Sequence, residues 1–342
     1  MQITDLIRPN IRSLQPYSTA RDEYEGELGT FLDANESPFD NGYNRYPDPH
    51  QKRLKSLLAP LKGVAMENIF IGNGSDEAID LLFRIFCEPG RSNAISIAPS
   101  YGMYEVAADT NDVKMRKMLL NDDFSLPVGR LLEAADSDSR LLFICSPNNP
   151  TGNAFPRKEI ERVVREFPGI VVVDEAYIDF SDEPGMLPIL SGFPNLVVLQ
   201  TLSKAWGMAG LRCGLAFASS EIIGYMNRVK YPYNINVATS AIAERLLSEP
   251  VPSHIKVIKE EREKLAEILA TLPFVRKVYP SDANFLLVKV DDANALYDYL
   301  IANKIIVRNR DKVALCKGCL RMTVGTPEEN LRLIQILMNY AL

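Results

Sequence analysis

Two histidines and five cysteines in 342 residues leave little with which to build a zinc-type metal centre. The histidines, His50 and His254, are remote from each other and from Cys316-x-x-Cys319, which has the spacing of half a zinc site and no second pair to complete it. Cys87, Cys145, Cys213, Cys316 and Cys319 are odd in number and mostly lie in apolar runs. Reduced, buried thiols of a cytoplasmic protein are therefore expected in place of a disulfide framework. A basic excess is also missing: 38 Lys and Arg stand against 44 Asp and Glu, a formal charge of -6. With no basic run to neutralise a phosphate backbone, nucleic acid is not expected as a partner. No apolar stretch approaches a membrane span, and Asp5 and Arg8 stand where a signal peptide would be apolar. Repeats and low-complexity tracts are absent. What is left is a chain with 46% hydrophobic residues, long enough for one large domain and a smaller one.

Short apolar runs alternate with amphipathic helices up to about residue 235. They include Ile69-Phe70-Ile71, Ile95-Ser96-Ile97, Leu141-Leu142-Phe143-Ile144, Ile170-Val171-Val172-Val173, Leu196-Val197-Val198-Leu199 and Cys213-Gly214-Leu215-Ala216. Runs of this kind predict an α/β fold with a mostly parallel sheet covered on both faces. The texture then changes. Two helices are expected over 236–249 and 252–271, the second with Ile255, Ile258, Leu265, Ile268 and Leu269 on one face. They lead into a smaller α+β domain with strands near 283–290, 305–307 and 320–324 and helices near 292–303 and 327–340. The expected organisation is an irregular, charged arm over 1–30, a large domain over 31–235 and a small domain over 236–342.

The polar residues of interest follow the strands. Ile69-Phe70-Ile71-Gly72-Asn73 runs into Gly74-Ser75-Asp76, a glycine turn opening a helix whose free amides suit an anion; plain N-capping by Ser75 or Asp76 is the other use of such residues. Tyr101 stands just past the next strand, where it can offer an aromatic face to a flat ring or pack in the core. Asn149, in Ser146-Pro147-Asn148-Asn149-Pro150-Thr151-Gly152, is pointed out of a strand end by a Pro and Gly bracket. Asp174-Glu175-Ala176-Tyr177 closes a β-branched strand with carboxylates, a pattern that also suits a cation, though no histidine or third carboxylate supports one. Thr201-Leu202-Ser203-Lys204-Ala205-Trp206-Gly207 places one amine among small and apolar neighbours. Desolvation there favours the neutral amine, which is what a lysine needs to attack a carbonyl and hold it as an imine. A surface lysine beside a Gly-rich loop fits the same letters. Arg212, eight residues on, has a planar fork suited to phosphate.

Taken in order, Asn149, Asp174, Tyr177, Lys204 and Arg212 resemble the motif series of fold-type I pyridoxal-phosphate enzymes, and most closely the histidinol-phosphate aminotransferase family. The resemblance runs from Tyr17 to Arg321. It implies the fold-type I transferase architecture, a homodimer, and pyridoxal 5'-phosphate bound to Lys204. It also implies roles for individual residues. Asp174 pairs with the pyridine nitrogen so that the ring can absorb electrons. Asn149 and Tyr177 hydrogen-bond the phenolic oxygen, and Tyr101 stacks on the ring. Gly74, Ser75, Asp76, Ser203 and Arg212 hold the phosphate, and Tyr46 reaches the phosphate of the neighbouring subunit's site. Arg321, assisted by Arg308 and Tyr17, grips the substrate anion, and the N-terminal arm packs on the small domain and reaches toward the partner subunit. The implied reaction moves an amino group from histidinol phosphate to 2-oxoglutarate, giving imidazole-acetol phosphate and glutamate, in histidine biosynthesis. Three other readings keep the same residues: a decarboxylase of a phosphorylated amino acid such as threonine phosphate, an aromatic aminotransferase, and a non-catalytic binding or regulatory protein on this scaffold.

Overall fold

A computed structural model of the chain describes residues 2–17 and 29–340. Seven strands form the larger sheet: β1 (Ile69–Asn73), β2 (Asn93–Ala98), β3 (Lys114–Leu119), β4 (Ser139–Cys145), β5 (Ile170–Asp174), β6 (Leu196–Thr201) and β7 (Cys213–Phe217). Their order is β1-β7-β6-β5-β4-β2-β3. The pairs from β3 through β6 are parallel, and β7 runs antiparallel to both of its neighbours.

The strand sequences read as unbroken apolar runs because both faces of this sheet are covered. Along β5, Val171 and Val173 enter one buried cluster while Ile170 and Val172 enter the other. β6 divides in the same way, with Val198 on one side and Val197 and Leu199 on the other. Each strand thus obeys the two-residue period of the pleat with apolar residues in both registers. The parallel arrangement brings the carboxyl ends of β4, β5 and β6 to one edge, and a crevice forms there.

The smaller sheet is antiparallel, in the order β10-β11-β9-β8, from β8 (Val275–Val278), β9 (Phe285–Val290), β10 (Arg308–Asn309) and β11 (Cys319–Thr323). Helices over Ala293–Ala302 and Pro327–Tyr340 cover one face. The other face carries Phe285, Leu287 and Cys319 into the same cluster as the larger sheet's core. The helices expected at 236–249 and 252–271 are Val237–Leu247 and His254–Ala270. The strand expected at 305–307 is displaced to Arg308–Asn309, where Arg308 pairs with Arg321 of β11. The apolar Ile305-Ile306-Val307 run is instead the approach to it, and Ile306 is exposed.

Helix His254–Ala270 ties the two sheets together. Arg262 is buried and donates to the carbonyls of Phe180 and Ala283, one from each side of the crevice. At the amino end, Ile3, Ile7 and Ile11, four residues apart, seat in the cluster with Phe83 and Phe86 of the helix Ser75–Phe86, and the Arg8 amide donates to the Ile85 carbonyl at 3.0 Å. These arm residues lie on the larger sheet's helical layer, not on the smaller unit as the resemblance implies, because their apolar stripe matches that helix. Ser18-Thr19-Ala20-Arg21-Asp22-Glu23 of the same arm lies outside the described residues. All five cysteines are buried and free.

Candidate active site

The crevice at the strand ends contains a cavity lined by Gly74, Ser75, Asp76, Tyr101, Asn149, Asp174, Tyr177, Ser203, Lys204 and Arg212, together with Cys145, Ala176, Thr201 and Ala209. Ten residues singled out in the sequence meet here, from five separate stretches of the chain.

At one end is an anion cup. Gly74 adopts φ +79°, and a Cβ built on it would stand 2.5 Å from Arg212 Nη2, so only glycine lets the guanidinium lie across the turn. The Gly74 amide donates to the Arg212 carbonyl at 2.7 Å, and Arg212 itself is left-handed at φ 53°. Gly74 occupies the N-cap of helix Ser75–Phe86 with no side chain capping it. Capping by Ser75 or Asp76 is therefore not their use. Asp76 instead accepts from Tyr101 Oη at 3.1 Å and stands 3.6 Å from Arg212 Nη2. The first amides of the helix face the cavity without intrahelical acceptors. Ser203 closes the cup, with its hydroxyl accepting from Thr201 Oγ1 at 2.9 Å.

At the other end is a buried carboxylate. Asp174 closes β5 at 2% exposure, Oδ2 accepting from Tyr104 Oη at 2.6 Å and Oδ1 from the Ala176 amide at 3.1 Å. Burial raises its pKa, and these two hydrogen bonds and Lys204 oppose the shift. Lys204 stands between the two ends, open to the cleft, with Nζ 5.8 Å from the Tyr177 ring centroid. The walls of the cleft desolvate its ammonium and lower the pKa, and the charges of Arg321 and Arg212 act in the same direction. Tyr177 is buried edge-on against Phe285 of β9, and burial keeps its phenol protonated. In the loop after β4, Asn148 is the structural member, bonded to Ser100, the Pro99 carbonyl and Thr151, which leaves Asn149 to face the cleft.

The smaller sheet contributes from across the crevice. Arg321 Nη1 donates to Asn149 Oδ1, and its guanidinium lies 5.1 Å from the Phe285 ring centroid. Arg308 is its partner in the β10–β11 register, and the amide of Arg310 donates to the Cys319 carbonyl, so the three arginines crowd one end of the ladder. The pKa values of Arg321 and Arg310 are lowered, first by burial, with the charge of Arg308 also acting on both. The buried Nε atoms of both lack a partner among the described residues. Like charges set opposite each other on strands repel, so this corner is built for an anion. Arg310 was not singled out from the sequence; it lies just past β10, and its spacing of two residues from Arg308 is the signal that identifies it. Tyr104 was passed over within Ser100-Tyr101-Gly102-Met103-Tyr104, where helical spacing alone reads as core.

Four of the sequence candidates are not part of this lining: Arg321 and Arg308 stand across the crevice on the smaller sheet, and Tyr46 and Tyr17 lie elsewhere. Tyr46 stacks on Tyr233 with ring centroids 4.4 Å apart and borders a separate, open hollow with Asn35, Glu36 and Asn236. Tyr17 is 74% exposed. Among the described residues no group of three His, Cys, Asp or Glu is placed to hold a metal ion.

A mostly parallel sheet with a lysine, an aspartate and an arginine-backed anion cup at its strand ends defines a transferase of the aminotransferase type, and over residues 32–337 the chain belongs to the family described as aminotransferase class I and II. It is 54% identical over 342 residues to the histidinol-phosphate aminotransferase of Parabacteroides distasonis, covering 99% of each chain. Among solved structures it resembles the histidinol-phosphate aminotransferase of Clostridium acetobutylicum (TM-score 0.79, 23% identity, 87% of this chain and 90% of that one). The enzyme of that name from Sinorhizobium meliloti, solved in complex with pyridoxal-5'-phosphate, gives a TM-score of 0.78 at 22% identity over 86% and 84% of the two chains. At these identities the structural likeness establishes the fold.

Proposed function

We propose that this chain transfers the amino group of L-histidinol phosphate to 2-oxoglutarate, forming imidazole-acetol phosphate and glutamate in histidine biosynthesis, with pyridoxal 5'-phosphate as coenzyme. The observation that carries the reading is the cavity itself: an anion cup that a single Cβ would fill, a buried carboxylate at the opposite end, and a reactive amine between them. That donor set fits a flat pyridine bearing one phosphate. When bound, the coenzyme supplies an electron sink for the pair left behind at the substrate's Cα.

The remaining work falls to the chain. Arg212, Ser203 and the helix amides of Ser75 and Asp76 bind the phosphate, and bare Gly74 lets it approach. Asp174 holds the proton on the ring nitrogen. Asn149 and Tyr177 donate to the phenolic oxygen, and Tyr101 covers the ring. Lys204, its basicity lowered by desolvation, would act as the general base that takes the proton from the substrate's Cα. Arg321 binds whichever anion the substrate presents, a phosphate in one half-reaction and a carboxylate in the other. Arg308 and Arg310 add charge suited to the phosphate, with Tyr17 assisting. The chain acts in the cytoplasm as a homodimer of two-domain subunits, with an arm over 1–30 and domains over 31–235 and 236–342. Tyr46 serves the neighbouring subunit's phosphate site, which agrees with its exposure in the single chain.

Single-turnover assays test the reading: histidinol phosphate and glutamate should each convert the coenzyme-loaded protein to its amine form. Carbon dioxide release from threonine phosphate would favour the decarboxylase instead. Absence of visible absorbance on adding pyridoxal phosphate would favour a binding protein without catalysis.

A further inference from the structure

Buried carboxylates need hydrogen-bond donors, and the donors chosen decide both their charge and their orientation. Asp174 has two. The Ala176 amide is local and comes with the turn that follows β5. Tyr104 is brought from the helix Met103–Thr110, seventy residues away in sequence, and approaches Oδ2 at 2.6 Å, within the range of charge-assisted O–H···O bonds. The tyrosine is itself 1% exposed. Its ring stacks on Phe143 at 4.7 Å between centroids and meets Tyr101 edge-on at 5.6 Å, so the hydroxyl is held by packing on two sides. A phenylalanine would pack equally well at this position. The hydroxyl therefore serves the carboxylate.

We infer that Tyr104 is the positioning residue that keeps Asp174 ionised and oriented toward the ring nitrogen of the coenzyme. The inference rests on Asp174 facing that nitrogen, as in the function proposed above. Burial keeps the Tyr104 phenol protonated well beyond its ordinary range, so it remains a donor wherever the protein works. The other groups acting on Asp174 divide in sign: Lys204 from the end of β6 favours its charge, and Asp76 from the helix start opposes it. Tyr101, Tyr177 and the Cys145 thiol stay neutral, each pushed up by burial. With Tyr104 removed, the Ala176 amide is left to resist desolvation. The proton shared along the Asp174–nitrogen axis then passes toward the carboxylate.

The test uses the coenzyme-loaded protein with ¹⁵N at the pyridine nitrogen, whose chemical shift reports protonation. In Tyr104→Phe the resonance should move toward the unprotonated value at neutral pH, a change of roughly 10- to 100-fold in the ring's ionisation equilibrium, as expected for a hydrogen bond to a charged group. Both half-reactions should slow while KM changes little. Should Tyr104→Phe fail to fold, 3-fluorotyrosine at the same position strengthens the donor without changing the packing, and the resonance should move in the opposite direction. Asp174→Asn separates the two levels of the argument. If it shifts the resonance and the Tyr104 variants do not, the role of Tyr104 is overturned alone. If neither shifts it, Asp174 does not face the nitrogen, and both fall.

Discussion

A methyl group added at Gly214 should disable the anion cup from behind. Gly214 is the second residue of β7, paired with Gly72 of β1 on one side and Thr201 of β6 on the other. A Cβ there would stand 2.0 Å from the Ser75 nitrogen and 2.1 Å from the Gly74 carbonyl carbon, where ordinary contact begins at 3.4 Å. Every atom it strikes is backbone. Because β7 is fixed along both edges, the Gly74–Ser75 turn must give way, carrying the helix amides and the Gly74–Arg212 bond with it. Overpacking of this kind costs about 3 kcal/mol, the upper end of the usual range, since no side chain can rotate aside. For a chain of 342 residues the melting temperature should fall by roughly 4 °C. Misplacing two donors to a dianion should weaken pyridoxal phosphate binding by roughly 10- to 100-fold. Gly74→Ala makes the informative contrast, because there the clash is with Arg212 Nη2, the free end of a side chain that can swing away. It should lower affinity comparably and cost roughly 1–3 kcal/mol of stability from the strain of φ 79°, ψ 163°, a region almost reserved for glycine, without forcing backbone apart. Thermal melts of the coenzyme-free proteins and spectrophotometric titration with pyridoxal phosphate measure both effects. A Gly214→Ala protein that melts with the parent and binds coenzyme as tightly would refute the packing argument.

Glu175 is buried beneath the cleft, accepting from the Gln200 amide and the Met186 amide, and burial raises its pKa from 4.5 to about 7. The folded state thus holds this proton more tightly than the unfolded chain. The stability it confers is complete below pH 4.5 and is lost as pH rises toward 7. Glu175→Gln keeps an acceptor for Met186 and offers a donor to the unpartnered Gln200 Oε1. Relative to the parent it should gain about 2 kcal/mol between pH 5 and pH 8 in denaturant titrations; a gap that stays constant across that range would contradict the assignment. Tyr46→Phe and Lys204→Ala subunits, each weak alone, should regain activity on mixing, since a mixed dimer carries one complete site. Mixing without rescue would place Tyr46 within its own subunit's chemistry.

The strand ends were legible because a sheet buried on both faces writes its strands as apolar runs, and a polar residue just past such a run has few places to go but the crevice. Asn149, Asp174 and Lys204 were found in this way, and Arg212 by its spacing from Lys204. Residues that reach the site from elsewhere left weaker marks. Tyr104 lies on a helix whose other inward residues, Ala107 and Ala108, are plain core, so its hydroxyl carries no periodic signal. Arg310 lies just past a two-residue strand, too short to show alternation, which also explains the displacement of β10 from the apolar 305–307 run. Strand β8, Val275–Val278, is an edge with two exposed residues and has no apolar alternation to mark it as a strand. The seat of the arm depended on Ile3, Ile7 and Ile11 finding a partner surface that no local pattern names.

The central claim is that one amine, on residue 204, bonds covalently to the coenzyme aldehyde. Borohydride treatment of the coenzyme-loaded protein, followed by proteolysis and peptide mapping, reads this directly. The label should appear on the peptide containing Lys204 and be absent from Lys204→Ala. A label on another lysine, or none at all, would contradict the account.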